Sequence, residues 1–191
     1  MNTLRISVDP SLETNDHQAR LLVDQKDWLG KDSAGLDPPM LRNQLSSREN
    51  KIIVGRCACG SVGCDDVLVE LVRENGLVKW QIDGGETLVF DANAYDVEVD
   101  RFSRDKSWET TERAAEREIN SILRDTNLKH GFKFEWASAR IREGFIILSY
   151  GKPAKNRDHQ RLLEFEWDGA SVASAIDGAI AFRARRFPHL P

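Results

Sequence analysis

Asn75-Gly76 lies between two apolar-rich runs, Val67 to Val72 before it and Val78, Trp80 and Ile82, alternating with polar residues, after it. Asn-Gly accepts the positive φ angles of a two-residue hairpin turn, so the middle of the chain is committed to antiparallel strands. Upstream, Ile52-Ile53-Val54 reads as another strand. It runs directly into Arg56-Cys57-Ala58-Cys59-Gly60-Ser61-Val62-Gly63-Cys64-Asp65-Asp66, and the Val67 strand leaves that segment. The cysteine segment is therefore expected as the connection between two neighbouring strands at a sheet end.

The same periodicities organise the rest of the chain. Leu4, Ile6 and Val8 alternate as a short strand ended by Asp9-Pro10, and Arg20 to Asp24 is a second short run. Gly30 to Asn50, with Gly35, Pro38 and Pro39, reads mainly as loop with one helical turn after Pro39. From Asp91, the spacing of Tyr95, Val99 and Phe102 predicts a helix. A second helix is expected from a Ser107 cap, with Trp108, Ala115, Ile119 and Ile122 on one face and Glu109 paired to Arg113. Phe132, Phe134 and Trp136 then alternate as a strand, Arg142-Glu143-Gly144 turns into Phe145-Ile146-Ile147-Leu148, and Leu163, Phe165 and Trp167 mark a further strand. A last helix groups Val172, Ile176, Ala179 and Ile180, with Arg183, Arg185 and Arg186 near its negative end. This order predicts an α+β fold: a mainly antiparallel sheet with two central helices and a C-terminal helix packed on it. The expected organisation is one domain over residues 1–191, in which 1–50 is a lead-in of strands and loop and 51–191 the main body. The turns at Asn75-Gly76 and Glu143-Gly144 occupy similar places in two strand groups, but their flanking residues match too poorly to establish a duplication.

Composition narrows the classes of function. Hydrophobic residues at 40% and charged residues at 30% suit a globular chain, and a net charge of −4 offers no broad basic field for nucleic acid. No run of eighteen apolar residues would span a membrane, and the opening lacks the pattern of a signal peptide. A cytoplasmic location is expected, where cysteines are thiols or metal ligands more often than disulfides.

All three cysteines fall within eight residues, as C-x-C-G-x-x-G-C. One reading is a thiolate zinc site built by Cys57, Cys59 and Cys64. Structural zinc takes four ligands, so the fourth would come from His17, His130, His159, His189, Asp65, Asp66 or another subunit. A second reading makes Cys57 or Cys64 a nucleophile. Arg56 precedes Cys57 and favours a thiolate there, whereas Asp65 and Asp66 oppose one at Cys64. The third and simplest reading is a shaped turn, in which Gly60 and Gly63 adopt positive φ and the cysteines are small buried filler.

Other polar clusters have plainer explanations. Lys152, Lys155, Arg157, His159 and Arg161 read as a solvated basic loop, Glu164 and Glu166 as the wet side of a strand, and Asp96, Glu98 and Asp100 as an exposed helix face. The chain carries no phosphate loop, dinucleotide fingerprint, H-E-x-x-H pair or nucleophile elbow.

Beyond these local patterns, Asp27-Trp28-Leu29-Gly30, Gly35-Leu36-Asp37-Pro38, the cysteine segment, Val78-Lys79-Trp80, Phe90-Asp91-Ala92, Ser107-Trp108-Glu109 and Phe134-Glu135-Trp136-Ala137-Ser138 follow one another. Together they resemble a group of uncharacterised bacterial soluble proteins with a C-x-C-G-x-x-G-C segment. The resemblance implies a bacterial cytosolic protein and carries no activity. Taken together, the sequence favours a non-enzymatic module that binds another protein, of an accessory or immunity-like kind, docking through its exposed acidic side chains. The alternative is a small zinc-binding protein, and a cysteine-dependent enzyme comes third.

Overall fold

The computed structural model describes residues 1–11, 16–59, 64–82, 84–152 and 159–189. The fold is α+β, with four helices and three antiparallel sheets. Its contacts gather into two compact units, Met1–Trp108 and Glu109–Pro191, each with its own hydrophobic core.

In the first unit, β1 (Leu4–Ser11) and β2 (Asp16–Val23) pair from Leu4↔Val23 to Ser11↔Asp16, and β3 (Lys26–Asp27) joins β2. The strand expected to stop at Asp9-Pro10 continues through both residues. Pro10 is tolerated because β1 lies at the edge of the β1-β2-β3 sheet, where a missing N–H need not break a ladder. After β4 (Ser33–Ala34) comes α1 (Pro38–Leu45), longer than the single turn expected. The two prolines open it, where the first N–H groups have no helical partner to lose.

A second sheet has the order β4-β5-β6-β7-β8, using β5 (Lys51–Cys57), β6 (Asp66–Glu74), β7 (Leu77–Gln81) and β8 (Thr87–Asp91). Asn75 and Gly76 turn β6 into β7 with φ of 52° and 76°, as their residue types foretold. Helix α2 (Ala92–Arg104) starts at Asp91, whose carboxylate accepts the Ala94 N–H at 2.9 Å. Tyr95 and Phe102 are buried from its inner face. Trp80 meets Phe90 and Tyr95 at ring-centroid distances of 5.3 and 6.0 Å.

Residues 1–50 are integral to this unit: Ile6, Ala19, Leu21, Leu36 and Leu41 belong to the same core as Val54, Val69 and Trp80. Gly35 allows the close approach. The Ala19 N–H donates to the Leu36 carbonyl at 2.7 Å, and a Cβ on Gly35 would lie 2.1 Å from the Ala19 carbonyl oxygen.

Glu98 corrects the expected exposed helix face. It is 7% exposed and accepts the Ile6 N–H of β1 at 2.6 Å, Arg101 at 2.6 and 2.8 Å, and Arg5 at 3.2 Å. Burial pushes its carboxyl up, but the bonds from Arg101 and the Ile6 N–H outweigh that and hold it below the usual carboxylate range.

In the second unit, α3 (Thr111–Leu123) begins later than expected. Thr110 is the cap, accepting the Arg113 N–H at 3.3 Å, while Ser107 bonds Asp105 and Trp108 stays outside the helix. Glu109 pairs with Arg117 at 3.0 Å. The sheet has the order β12-β11-β10-β9, from β9 (Asn127–Leu128), β10 (Phe132–Ser138), β11 (Phe145–Lys152) and β12 (His159–Glu166). Helix α4 (Val172–Arg186) packs on α3 and β12.

The inner face of α4 is Ala175, Ala179 and Phe182, whereas Ile180 is 53% exposed. Small alanines let the helix approach its neighbours closely; of the expected stripe, Ala179 is buried, Val172 and Ile176 are half-buried, and Ile180 faces out. Glu164 and Glu166 are exposed, as expected of the wet side of β12.

Candidate thiol centre

The cysteine segment leaves the edge of a well-held strand pair. Strands β5 and β6 pair down to Arg56↔Asp66, the Cys57 N–H donates to the Asp65 carbonyl at 2.9 Å, and Ser33 of β4 lies opposite Cys57. The Ala58 N–H donates to the Asp32 carbonyl at 3.2 Å. That neighbouring segment is itself fixed by Arg20, a buried side chain that donates to the Gly30 and Ser33 carbonyls, both at 2.6 Å, and pairs with Asp27. Backbone and arginine together hold both ends of the connection in place.

Three thiols converge on this frame. The Sγ atoms of Cys57, Cys59 and Cys64 all lie within 4.8 Å of one another, near enough to hold one metal ion. Cys57 and Cys59 approach to 2.7 Å, and none of the three is in a disulfide. Cys57 is half-buried, while Cys59 and Cys64 are exposed. The expectation of buried filler is therefore corrected. The positive φ foreseen for Gly60 and Gly63 lies outside the described residues.

The electrostatics separate binding from nucleophilic chemistry. Hydrogen bonds that the Cys64 thiol shares with Cys59 and then Cys57 as donor, followed by charge repulsion from those sulfurs, push it up to about 11. A thiol so raised is a poor nucleophile at neutral pH, because the thiolate is the attacking species. Arg56 does not activate the cluster either. Its Nε donates to Asp66 at 3.2 Å and its Nη2 to the Met40 sulfur at 3.3 Å.

Three sulfurs around one ion must stand apart by a definite amount. Zinc–sulfur bonds of about 2.3 Å imply S···S separations of roughly 3.8 Å in a tetrahedron and 4.0 Å in a planar trigonal arrangement. The 4.8 Å limit accommodates either once the Cys57–Cys59 pair opens by about an ångström. All-sulfur donors select soft ions, zinc and Cu(I) foremost.

No fourth histidine or carboxylate joins the trio among the described residues. His17 stands 3.3 Å from Asp16 and packs on Trp108, and Asp66 is taken by Arg56. His130, His159 and His189 are exposed residues of the second unit. The sequence singled out the three cysteines because they are close together in the chain; the convergence of their sulfurs needed coordinates.

A hollow of about 550 Å³ in the second unit is lined by Gly144, Phe145, Glu166, Trp167, Asp168 and Ser174. Two of its polar groups are engaged within the fold: Asp168 accepts from the Ala170 N–H at 2.9 Å, and Ser174 Oγ receives Trp167 Nε1 at 3.0 Å. The basic loop at 152–161 falls largely outside the described residues.

The features define an α+β protein with a solvent-facing cluster of three thiols. No protein family, no curated protein and no solved structure matches the chain. No helix among the described residues is long and apolar enough to cross a membrane.

Proposed function

We propose that this chain is a metal-binding protein whose site is the trio Cys57, Cys59 and Cys64, with zinc as the ion. The observation that carries the reading is the convergence of three sulfurs within 4.8 Å, on a connection anchored by strand pairing at both ends. Thiols placed for packing have no reason to gather at the surface. A metal gives them one, because the ion replaces three closely spaced thiol protons and relieves the repulsion between thiolates.

Two other readings draw less support. A cysteine nucleophile is opposed by the raised Cys64 thiol and by the commitment of Arg56 to Asp66. A protein-binding module would be favoured by a contiguous apolar patch. The exposed large apolar residues Met1, Leu68, Val97, Ile141, Leu162 and Ile180 are scattered singly along the chain, which is ordinary for a surface.

The test is a zinc titration against a chromogenic competitor, at pH 7 under a phosphine reductant. The wild-type chain is expected to take one equivalent, and the Cys59→Ser variant is expected to lose that equivalent. Equal behaviour of the two would refute the reading. Affinity should also rise with pH between 6 and 8, since binding displaces thiol protons.

A further inference from the structure

The trio differs from a structural zinc site in three respects. Structural sites are closed by four protein ligands, and the domain depends on the ion to fold. Here three sulfurs gather, and no other histidine, cysteine or carboxylate among the described residues completes the set. The core of the first unit closes without them, since none of its buried apolar members is a cysteine. The strand ladder also runs to Arg56↔Asp66, and the Cys57–Asp65 and Ala58–Asp32 backbone bonds tie the ends of the connection without using a sulfur.

Exposure points the same way. Cys59 and Cys64 face solvent, so an incoming group can reach an ion held between them without any element of the fold moving.

We propose that this is an open transfer site: Cys57, Cys59 and Cys64 hold a thiophilic ion from one side, and an incoming thiolate completes its coordination and carries it away. The inference rests on the metal-binding reading above and goes beyond it by making the ion cargo, not a structural part. The exchange involves no change of oxidation state. The incoming thiol gives its proton to solvent as its sulfur bonds the ion, and each cysteine sulfur that lets go takes a proton back.

Cobalt(II) serves as a spectroscopic probe, with reduced glutathione as the incoming thiol. Chain loaded with one equivalent of cobalt under a phosphine reductant is expected to show thiolate-to-cobalt absorption. Adding glutathione should raise that absorption by about a third, as three sulfurs become four. Native mass spectrometry should then find chain, cobalt and one glutathione together, and the chelator-stripped chain should keep the near-ultraviolet circular dichroism of its tryptophans. A cobalt spectrum unmoved by glutathione with no ternary mass, or a stripped chain that unfolds, would overturn the open site while leaving the metal reading intact. Failure to bind cobalt and zinc at all would instead remove the reading on which it rests.

Discussion

The two units make similar antiparallel connections by different means. In the second unit, β10 returns as β11 through a turn closed by Gly144 at φ 77°. Arg142 covers that turn, its guanidinium 3.7 Å from the centre of the Phe145 ring and 2.7 Å from Glu164. In the first unit, β5 returns as β6 through the cysteine segment, where two of the three thiols are exposed. A strand connection in this protein therefore does not require cysteine, and a turn can be stabilised with one glycine and one arginine.

A second pair sharpens the comparison. Each unit buries a helix glutamate that reaches across to a backbone N–H and to arginine. In the first unit Glu98 takes the Ile6 N–H and bonds Arg101 and Arg5. In the second, Glu116 takes the Ala139 N–H at 2.9 Å, Ser138 Oγ at 3.1 Å and Arg140 Nε at 3.0 Å. Their surroundings differ. Arg113 beside Glu116 is only 5% exposed, whereas Arg5 beside Glu98 is 60% exposed.

The largest expected effect follows from that contrast. Glu116→Ala removes the buried acceptor shared by the Ala139 N–H, Ser138 Oγ and Arg140, and should destabilise the second unit by about 3 kcal/mol. Glu98→Ala should cost the first unit less, about 2 kcal/mol, because water can solvate the arginines left behind. Urea unfolding followed through tryptophan fluorescence measures both, and the reverse order would break the comparison.

Acid provides an independent check on Glu98. Its carboxyl is held low in the folded state, so its contribution is complete above the ordinary glutamate value of about 4.3 and disappears as pH falls through the lowered one. The pH dependence of stability of wild type and Glu98→Gln should therefore converge on the acid side. Parallel curves down to pH 2 would contradict this assignment.

Smaller effects attach to the turns. Gly76→Ala and Gly144→Ala, at φ of 76° and 77°, should each cost about 1 kcal/mol, the penalty of placing a Cβ in left-handed backbone. Arg142→Ala should cost about 0.5 kcal/mol, since both its ring contact and its ion pair are partly exposed. Cys59→Ser should leave the urea midpoint of the metal-free chain unchanged. A large loss there would make the cysteine segment a structural turn after all.

Much of this architecture was legible in the chain. Alternation marked β7, β10 and β12, Asn75-Gly76 marked its hairpin, and Asp91 marked the start of α2, because these signals are local and obey fixed periods. The parts that escaped depend on distant partners. Glu98 looked solvent-facing because the Ile6 N–H that buries it comes from a strand ninety-two residues away. Pro10 looked like a strand end because edge position is a property of the sheet, not of the peptide. On α4 the sequence included Ala179 but missed Ala175 and took Ile180 instead, because an alanine counts for less than an isoleucine on any hydropathy scale. At the candidate site, adjacency gave the three sulfurs, but their exposure and the sparseness of ligands around them are tertiary facts.

The most direct test compares native and denaturing mass spectrometry of the chain purified without added metal, with a count of alkylatable thiols in each state. A native mass higher by one zinc, with all three thiols protected until the chain is denatured, is the predicted result. An unchanged mass with three reactive thiols, persisting after incubation with zinc, would contradict the claim that Cys57, Cys59 and Cys64 form a metal centre.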